Sequence, residues 1–340
     1  MKISKRLLSA TLILSTILIL FSCNTEEKIT PKNKIFYEYF DTVSVIYDYS
    51  GSSQESFDSL CNKIENELQE YHELYDIYNE YEGKINLATI NRTAGGGPQA
   101  VDKKIIDMLL FAKEMYIFTN GEVNVAMGSV LKIWHEYREK GKEIPPMSLL
   151  NEAANHTDIN SLVIDEENMT VEILDPEMQI DVGAIAKGYA TEMIAASLEA
   201  DEKSGYVLDI GGNLRTVGEK PDGTGWTAGV KNPNFSSSQT YVYKTTLKGD
   251  SLVTSGSYER FYTVDGVSYH HIINGETLMP ENYYLSVSVK SDSSALSDAL
   301  STAIFNMQYD EAEEFVAPLK NILVILVMPD GEVITLGSSI

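Results

Sequence analysis

Asp298 and Thr302 stand four residues apart in a segment with helical character, Ser294 to Met307, and so fall on one helix face. A carboxylate and a hydroxyl there form a hard-oxygen pair suited to Mg2+, which takes few protein ligands and shares substrate phosphates. A plain hydrogen bond along the helix explains the pair as well. A second candidate runs Asp181-Val182-Gly183-Ala184-Ile185-Ala186-Lys187-Gly188-Tyr189, where a strand ending at Asp181 is expected to turn through Gly183 into a helix. Free N–H groups at that helix start suit an anion, and Lys187 adds a charge one turn in. Asp181 could equally be only a cap, and Lys187 a solvated surface residue. Thr254-Ser255-Gly256-Ser257-Tyr258-Glu259-Arg260, followed by His270-His271-Ile272-Ile273-Asn274, forms a third group. Its glycine permits close backbone approach and Arg260 can fork onto a phosphate or carboxylate. One of the two histidines must face inward, where a satisfied core role is commoner than acid–base work. Gly211-Gly212-Asn213 could bring backbone amides to a ring or phosphate, or could be a plain hairpin.

The elements that must carry these residues can be read from periodicity. Residues 40–49 alternate apolar positions at 43, 45 and 47, which is strand spacing. Phe57, Leu60, Ile64, Leu68, Tyr71 and Tyr75 mark a helix over 53–80, with Cys61 inside it as a small core residue rather than a nucleophile. Gly95-Gly96-Gly97-Pro98 is a loop, and helices are predicted over 103–119, 125–140 and 185–199. Strands are predicted at 161–165, 170–174, 206–210, 214–218, 226–230, 242–248, 261–264, 271–273, 285–290 and 322–328. Mixed elements without regular βαβ alternation predict an α+β fold with mixed, largely antiparallel sheets and packed helices. No repeat of 20–50 residues is visible, which sets aside solenoids and propellers.

Composition narrows the function classes. The 340 residues carry 50 acidic and 26 basic side chains, a net charge of −24 that disfavours a nucleic-acid partner. Two cysteines cannot build a disulfide framework or a four-cysteine zinc site. The sequence holds no G-x-x-x-x-G-K-[ST], no strand-linked G-x-G-x-x-G, no H-E-x-x-H and no G-x-S-x-G.

At the N-terminus Lys2, Lys5 and Arg6 precede an uncharged run from Leu7 to Phe21, too short for a spanning helix of about 20 residues. This reads as a signal peptide over 1–22. Leu20-Phe21-Ser22-Cys23 resembles a bacterial lipobox, which predicts lipidation at Cys23; an ordinary signal peptide with a chance cysteine is the alternative. Losing residues 1–22 removes three basic and no acidic side chains and takes the charge to −27. Such a surface is repelled by anionic lipid, so the anchor must hold the protein to the membrane. Residues 23–37 are predicted as anchor and polar tether, with one domain over 38–340. The expected location is the outer face of the cell membrane or its periplasmic side.

Taken in order, D-V-G-A-I-A-K-G-Y, I-G-G-N, T-S-G-S-Y-E-R, H-H-I-I-N-G-E-T and L-S-D-A-L-S-T-A resemble the ApbE family, the FAD:protein FMN transferases. The likeness reaches back through Asp41-Thr42, Tyr78, Ile90-Asn91 and Thr119-Asn120-Gly121, covering nearly all of 38–330. The resemblance implies Mg2+-dependent transfer of FMN from FAD to a threonine or serine hydroxyl of an acceptor protein, with release of AMP. It places a metal at the Ala184 carbonyl, Asp298 and Thr302. It places FAD contacts at Phe40, Tyr78, Glu122, Val123, Asn124, Asp181, Lys187 and Ile272, and His271 near the reacting phosphate, deprotonating the acceptor hydroxyl or orienting the diphosphate. Two departures stand out: Gly121-Glu122-Val123-Asn124 replaces the family's G-A-F-D, and Asn274-Gly275-Glu276-Thr277-Leu278 lacks its proline and later glycine. A FAD pyrophosphatase giving FMN and AMP, and a flavin-binding surface lipoprotein without chemistry, are the alternative readings.

Overall fold

The computed structural model describes residues 30–338, so the signal peptide and Cys23 lie outside the described residues. The chain begins β1 (Lys32–Phe36), β2 (Ser44–Asp48), α1 (Gln54–Tyr75), α2 (Leu87–Arg92), β3 (Gln99–Ala100) and α3 (Lys103–Phe118). Next come α4 (Gly128–Lys140), α5 (Met147–Ala154), β4 (Leu162–Asp165), β5 (Thr170–Ile173), α6 (Ala186–Ala200), β6 (Tyr206–Ile210) and β7 (Asn213–Val217). The hairpin β8 (Trp226–Lys231) and β9 (Tyr241–Leu247) precedes β10 (Ser251–Gly256), β11 (Phe261–Val264) and β12 (Val267–His270). The last elements are β13 (Ser286–Ser291), α7 (Ser294–Asn306), α8 (Tyr309–Val316), β14 (Leu323–Val327) and β15 (Val333–Gly337).

Eight strands form one sheet in the order β1-β2-β6-β7-β10-β13-β14-β15, and every strand pairing in it is antiparallel. Three smaller sheets, β3-β5-β4, β8-β9 and β11-β12, flank it. The fold is therefore α+β with largely antiparallel sheets, as the sequence predicts. Among the described residues no helix is long and apolar enough to cross a membrane.

Both faces of the large sheet are covered. On one lies the main core, into which α1 sends Phe57, Ile64 and Leu68; burying each of these contributes about 2 kcal/mol. On the other, Trp226 of β8 packs with Tyr49, Leu214, Leu252 and Ile325. This explains why the alternation at 43, 45 and 47 misleads. In β2 the fully buried apolar residue is Ile46, flanked by buried Ser44 and Asp48, while Val45 and Tyr47 are half-buried on the opposite face. With two covered faces, side-chain polarity no longer marks which one is the core.

α7 is the central helix, packed against β10, β13 and α6. Its Ser293 cap accepts from the Leu296 N–H, and its small residues let hydroxyls bridge directly to the sheet. Ser297 bonds Ser251 at 2.9 Å and Ser291 at 2.8 Å, and Ser301 bonds Ser255 at 2.8 Å. These bonds fix the rotation of α7, and with it the side on which Asp298 and Thr302 stand.

Several boundaries differ from expectation. Within the stretch read as anchor and tether, Lys32–Phe36 form β1 at the sheet edge, and Lys32 Nζ donates to the buried Asp48 carboxylate at 2.6 Å. α1 stops at Tyr75 rather than 80, because the Asp76 carboxylate accepts the Tyr78 and Asn79 N–H groups and turns the chain. α4 starts at Gly128, after a turn in which Asn124 Oδ1 accepts the Ala126 N–H. No strand ends at Asp181; residues 174–181 are held by an isolated Met127–Gln179 bridge and an Asp181 N–H bond to the Val125 carbonyl. The expected strand at 271–273 is displaced: β12 ends at His270, and the chain leaves the hairpin at His271.

Candidate active site

The α6 segment begins irregularly. The Ala186 N–H bonds the Val182 carbonyl and the Tyr189 N–H bonds the Ile185 carbonyl, but the Gly188 N–H donates to Asp298 Oδ2 at 2.7 Å instead of back to Ala184. The Ala184 carbonyl is thereby left out of the helical ladder. Only glycine fits at 188, since a Cβ there would meet Asp298 Cβ at 2.3 Å and the Ser294 carbonyl at 2.5 Å. Asp298 is only 5% exposed. Burial pushes its carboxyl above the usual carboxylate range, while Lys187 and the Gly188 N–H pull the other way. One turn further along α7, Thr302 Oγ1 lies 3.3 Å from Ser255 Oγ of β10.

Asp298, Thr302 and the Ala184 carbonyl therefore fit an oxygen-ligated cation: one carboxylate, one hydroxyl and one carbonyl released from the helix. Among the described residues no three His, Cys, Asp or Glu side chains cluster as a metal site.

His271 sits just past the end of β12, half-buried, with Nδ1 3.2 Å from the Arg260 carbonyl. A carbonyl only accepts, so Nδ1 carries the proton and Nε2 keeps its lone pair. Burial, then the charges of Arg260, Lys187 and Arg138, push the imidazole pKa down to about 3. His270 is the inward histidine. It is 2% exposed, with Nε2 2.8 Å from the Glu281 carbonyl and Nδ1 accepting the Ile272 N–H, a satisfied structural residue.

The remaining predicted contacts divide. Tyr78 is 61% exposed, its ring lying 5.3 Å from that of His135 with planes 33° apart. Its hydroxyl is pushed up to about 12, by burial first and then by the charge of Asp181. Asp181 Oδ1 accepts the Gly183 N–H at 2.8 Å, so one of its oxygens serves the turn ahead of α6. Phe40 sits at φ 53°, its N–H bonded to His72 Nδ1 at 3.2 Å and its ring edge-on to the same imidazole. Val123 is 1% exposed and Ile272 is buried, so only their backbones can meet a ligand. Asn124 donates from Nδ2 to the Thr157 carbonyl at 2.9 Å, so both ends of its amide serve the loop. Glu122, pressed by burial and by Glu276 and Glu311, has its carboxyl raised to about 7. Cys61 is buried in α1 with its thiol raised to about 11, the inert core residue expected.

Sequence reading missed Ser255 as the partner of Thr302, His135 of α4 as the ring against Tyr78, and Arg138 as the partner of His135. The glycine after Lys187, inside an otherwise helical run, was the available signal for the close α6–α7 approach.

The fold matches solved structures of one class of proteins, with TM-scores of 0.74 to 0.80. The ApbE family model matches residues 41–326, and the chain belongs to that family, which is a family of enzymes. Among its relatives, the FAD:protein FMN transferase of Klebsiella pneumoniae is 28% identical over 278 residues, covering 82% of this chain and 84% of the relative. The FAD:protein FMN transferase of Treponema pallidum is 30% identical over 261 residues, covering 73% of this chain and 72% of its own. The crystal structure of the ApbE protein of Thermotoga maritima superposes with a TM-score of 0.80 at 25% identity, covering 90% of this chain and 97% of that one.

Proposed function

We propose that this enzyme transfers FMN from FAD to a threonine or serine hydroxyl of an acceptor protein and releases AMP. The observation that carries the reading is the Gly188–Asp298 bond, which frees the Ala184 carbonyl and holds Asp298 one turn from Thr302. Mg2+ held by the Ala184 carbonyl, Asp298 and Thr302 would supply charge neutralisation at the diphosphate. Lys187 and Arg260 add positive charge to a chain whose net charge of −24 otherwise repels a dinucleotide. Tyr78 offers a ring face for the flavin or adenine, and the second oxygen of Asp181 can accept from a base or ribose.

His271 supplies the proton acceptor once the anionic diphosphate offsets the cations that depress its pKa in the free protein. Its Nδ1–H is committed to the Arg260 carbonyl, leaving Nε2 to take the acceptor hydroxyl proton. The hydroxyl oxygen then bonds to the FMN-side phosphorus, the phosphorus–oxygen bond to AMP breaks, and AMP leaves with that electron pair. The reading keeps Cys23 as a lipid-modified anchor at the outer face of the cell membrane or its periplasmic side; labelled fatty acid should enter the wild type and not Cys23→Ala, and equal labelling would refute it.

The deciding experiment incubates purified protein with FAD and Mg2+, with and without a flavin-acceptor domain, and follows AMP and protein-bound flavin. Transfer requires AMP together with covalent flavin on the acceptor. AMP with free FMN alone would mean hydrolysis, and neither product would mean binding only. Asp298→Ala should retain the fold and lose activity by about a hundredfold or more, since a metal contributes several kcal/mol to charge stabilisation.

A further inference from the structure

α4 presents a pair of side chains that the reaction scheme above does not use. Arg138 Nη2 lies 2.9 Å from His135 Nδ1, and because a guanidinium only donates, this nitrogen of His135 is the acceptor. The His135 ring in turn lies against Tyr78, so the chain of contacts runs from a ring platform to a guanidinium. Trp134, next to His135, is fully buried and donates to the Leu278 carbonyl at 2.9 Å, which anchors this part of α4 to the loop after β12.

Arg138 is half-buried, and among the described residues it forms no ion pair with a carboxylate. The other enclosed cations are matched: Arg215 with Glu192 at 3.1 Å, Lys290 with Asp250 at 3.2 Å. Arg138 instead donates to the His135 ring. Burial first, and then Arg260, lower its pKa, while both cations also bear on Asp181 and His271. A half-buried guanidinium without a carboxylate ion pair gains from a bound anion, even in a chain with 50 acidic side chains.

We propose that Arg138, oriented by His135, is a positioning cation for the diphosphate of the dinucleotide, a role that rests on the flavin-transfer reading. In this scheme Arg260, exposed on the turn between β10 and β11, supplies a second positive charge to the same ligand. His135 links this contact to ring stacking on Tyr78, coupling where the ring lies to where the phosphates lie.

Equilibrium binding of FAD, ADP and riboflavin, measured by fluorescence and calorimetry with chelator present to prevent turnover, separates the phosphate role from the ring role. Arg138→Gln should weaken FAD and ADP by about ten- to a hundredfold, the range for a hydrogen bond to a charged group. Riboflavin affinity should stay within about twofold, and Arg138→Lys should recover part of the loss. Equal losses for riboflavin and FAD would reassign Arg138 to the ring platform and overturn the proposal, as would unchanged FAD and ADP affinity. A wild-type protein that binds riboflavin and ADP no better than Arg138→Gln, and does not bind FAD, would overturn the flavin-transfer reading itself. Thermal melting of each variant checks that the fold is retained.

Discussion

The backbone N–H of Gly188 and the carboxylate of Asp298 meet at 2.7 Å, 110 residues apart in the chain, at a point where α6 and α7 leave no room for a side chain. Gly188→Ala drives a methyl to 2.3 Å from Asp298 Cβ and 2.5 Å from the Ser294 carbonyl, so a helix must shift. Overpacking of this kind costs about 1–3 kcal/mol. Urea denaturation should show that loss, together with a fall in turnover larger than the stability change explains. A variant as stable and active as wild type would show that the close approach is dispensable.

His271→Asn keeps a side chain able to donate to the Arg260 carbonyl but removes the free imidazole nitrogen. Loss of a general base lowers kcat roughly 10²–10⁴-fold. FAD affinity should change little, because burial and neighbouring cations keep the wild-type ring neutral. Steady-state kinetics beside direct FAD binding will separate the two; a pure KM effect would assign His271 to substrate orientation.

Asn124→Asp restores the acid usual in the family but loses the donor to the Thr157 carbonyl. An aspartate could still accept the Ala126 N–H, so the turn into α4 should survive with a cost of about 1–3 kcal/mol for the unpaired acceptor. Improved stability in a melting experiment would mean that Thr157 finds another partner.

Glu122 makes folding stability depend on pH. Its carboxyl is raised from 4.5 to about 7 by burial, with Glu276 and Glu311 as the facing acids; Tyr283 also feels its charge. Between those values the folded state holds a proton that the unfolded chain has released, so stability falls as pH rises from about 4.5 to 7 and levels off above. The loss is at most about 3 kcal/mol. Glu122→Gln should flatten that slope in urea titrations at pH 5 and 8, and an unchanged slope would assign the pH dependence to other groups.

Helices with one strongly apolar face were legible in the sequence: α1, α3 and α7 begin where residues 53, 103 and 294 indicate, because caps and 3.6-residue spacing are local properties. The hairpin ends were not. His271 reads as a strand residue by its neighbours, yet β12 stops at His270, whose ring is claimed by the Glu281 carbonyl and the Ile272 N–H. β1 was hidden by its polar sequence, since an edge strand needs only one partner and Lys32 is drawn in by a carboxylate 16 residues away.

By itself the sequence determined the family motifs, their order and the residue types able to hold a cation or move a proton, since these are chemical identities that no folding step alters. Tertiary structure alone decided which of them meet. The Ala184 carbonyl is released only because a distant Asp298 takes the Gly188 N–H, and Nε2 rather than Nδ1 is the acceptor nitrogen of His271 because the Arg260 carbonyl holds the Nδ1–H. Both depend on long-range packing, where side chains of unrelated sequence position compete for the same hydrogen bonds.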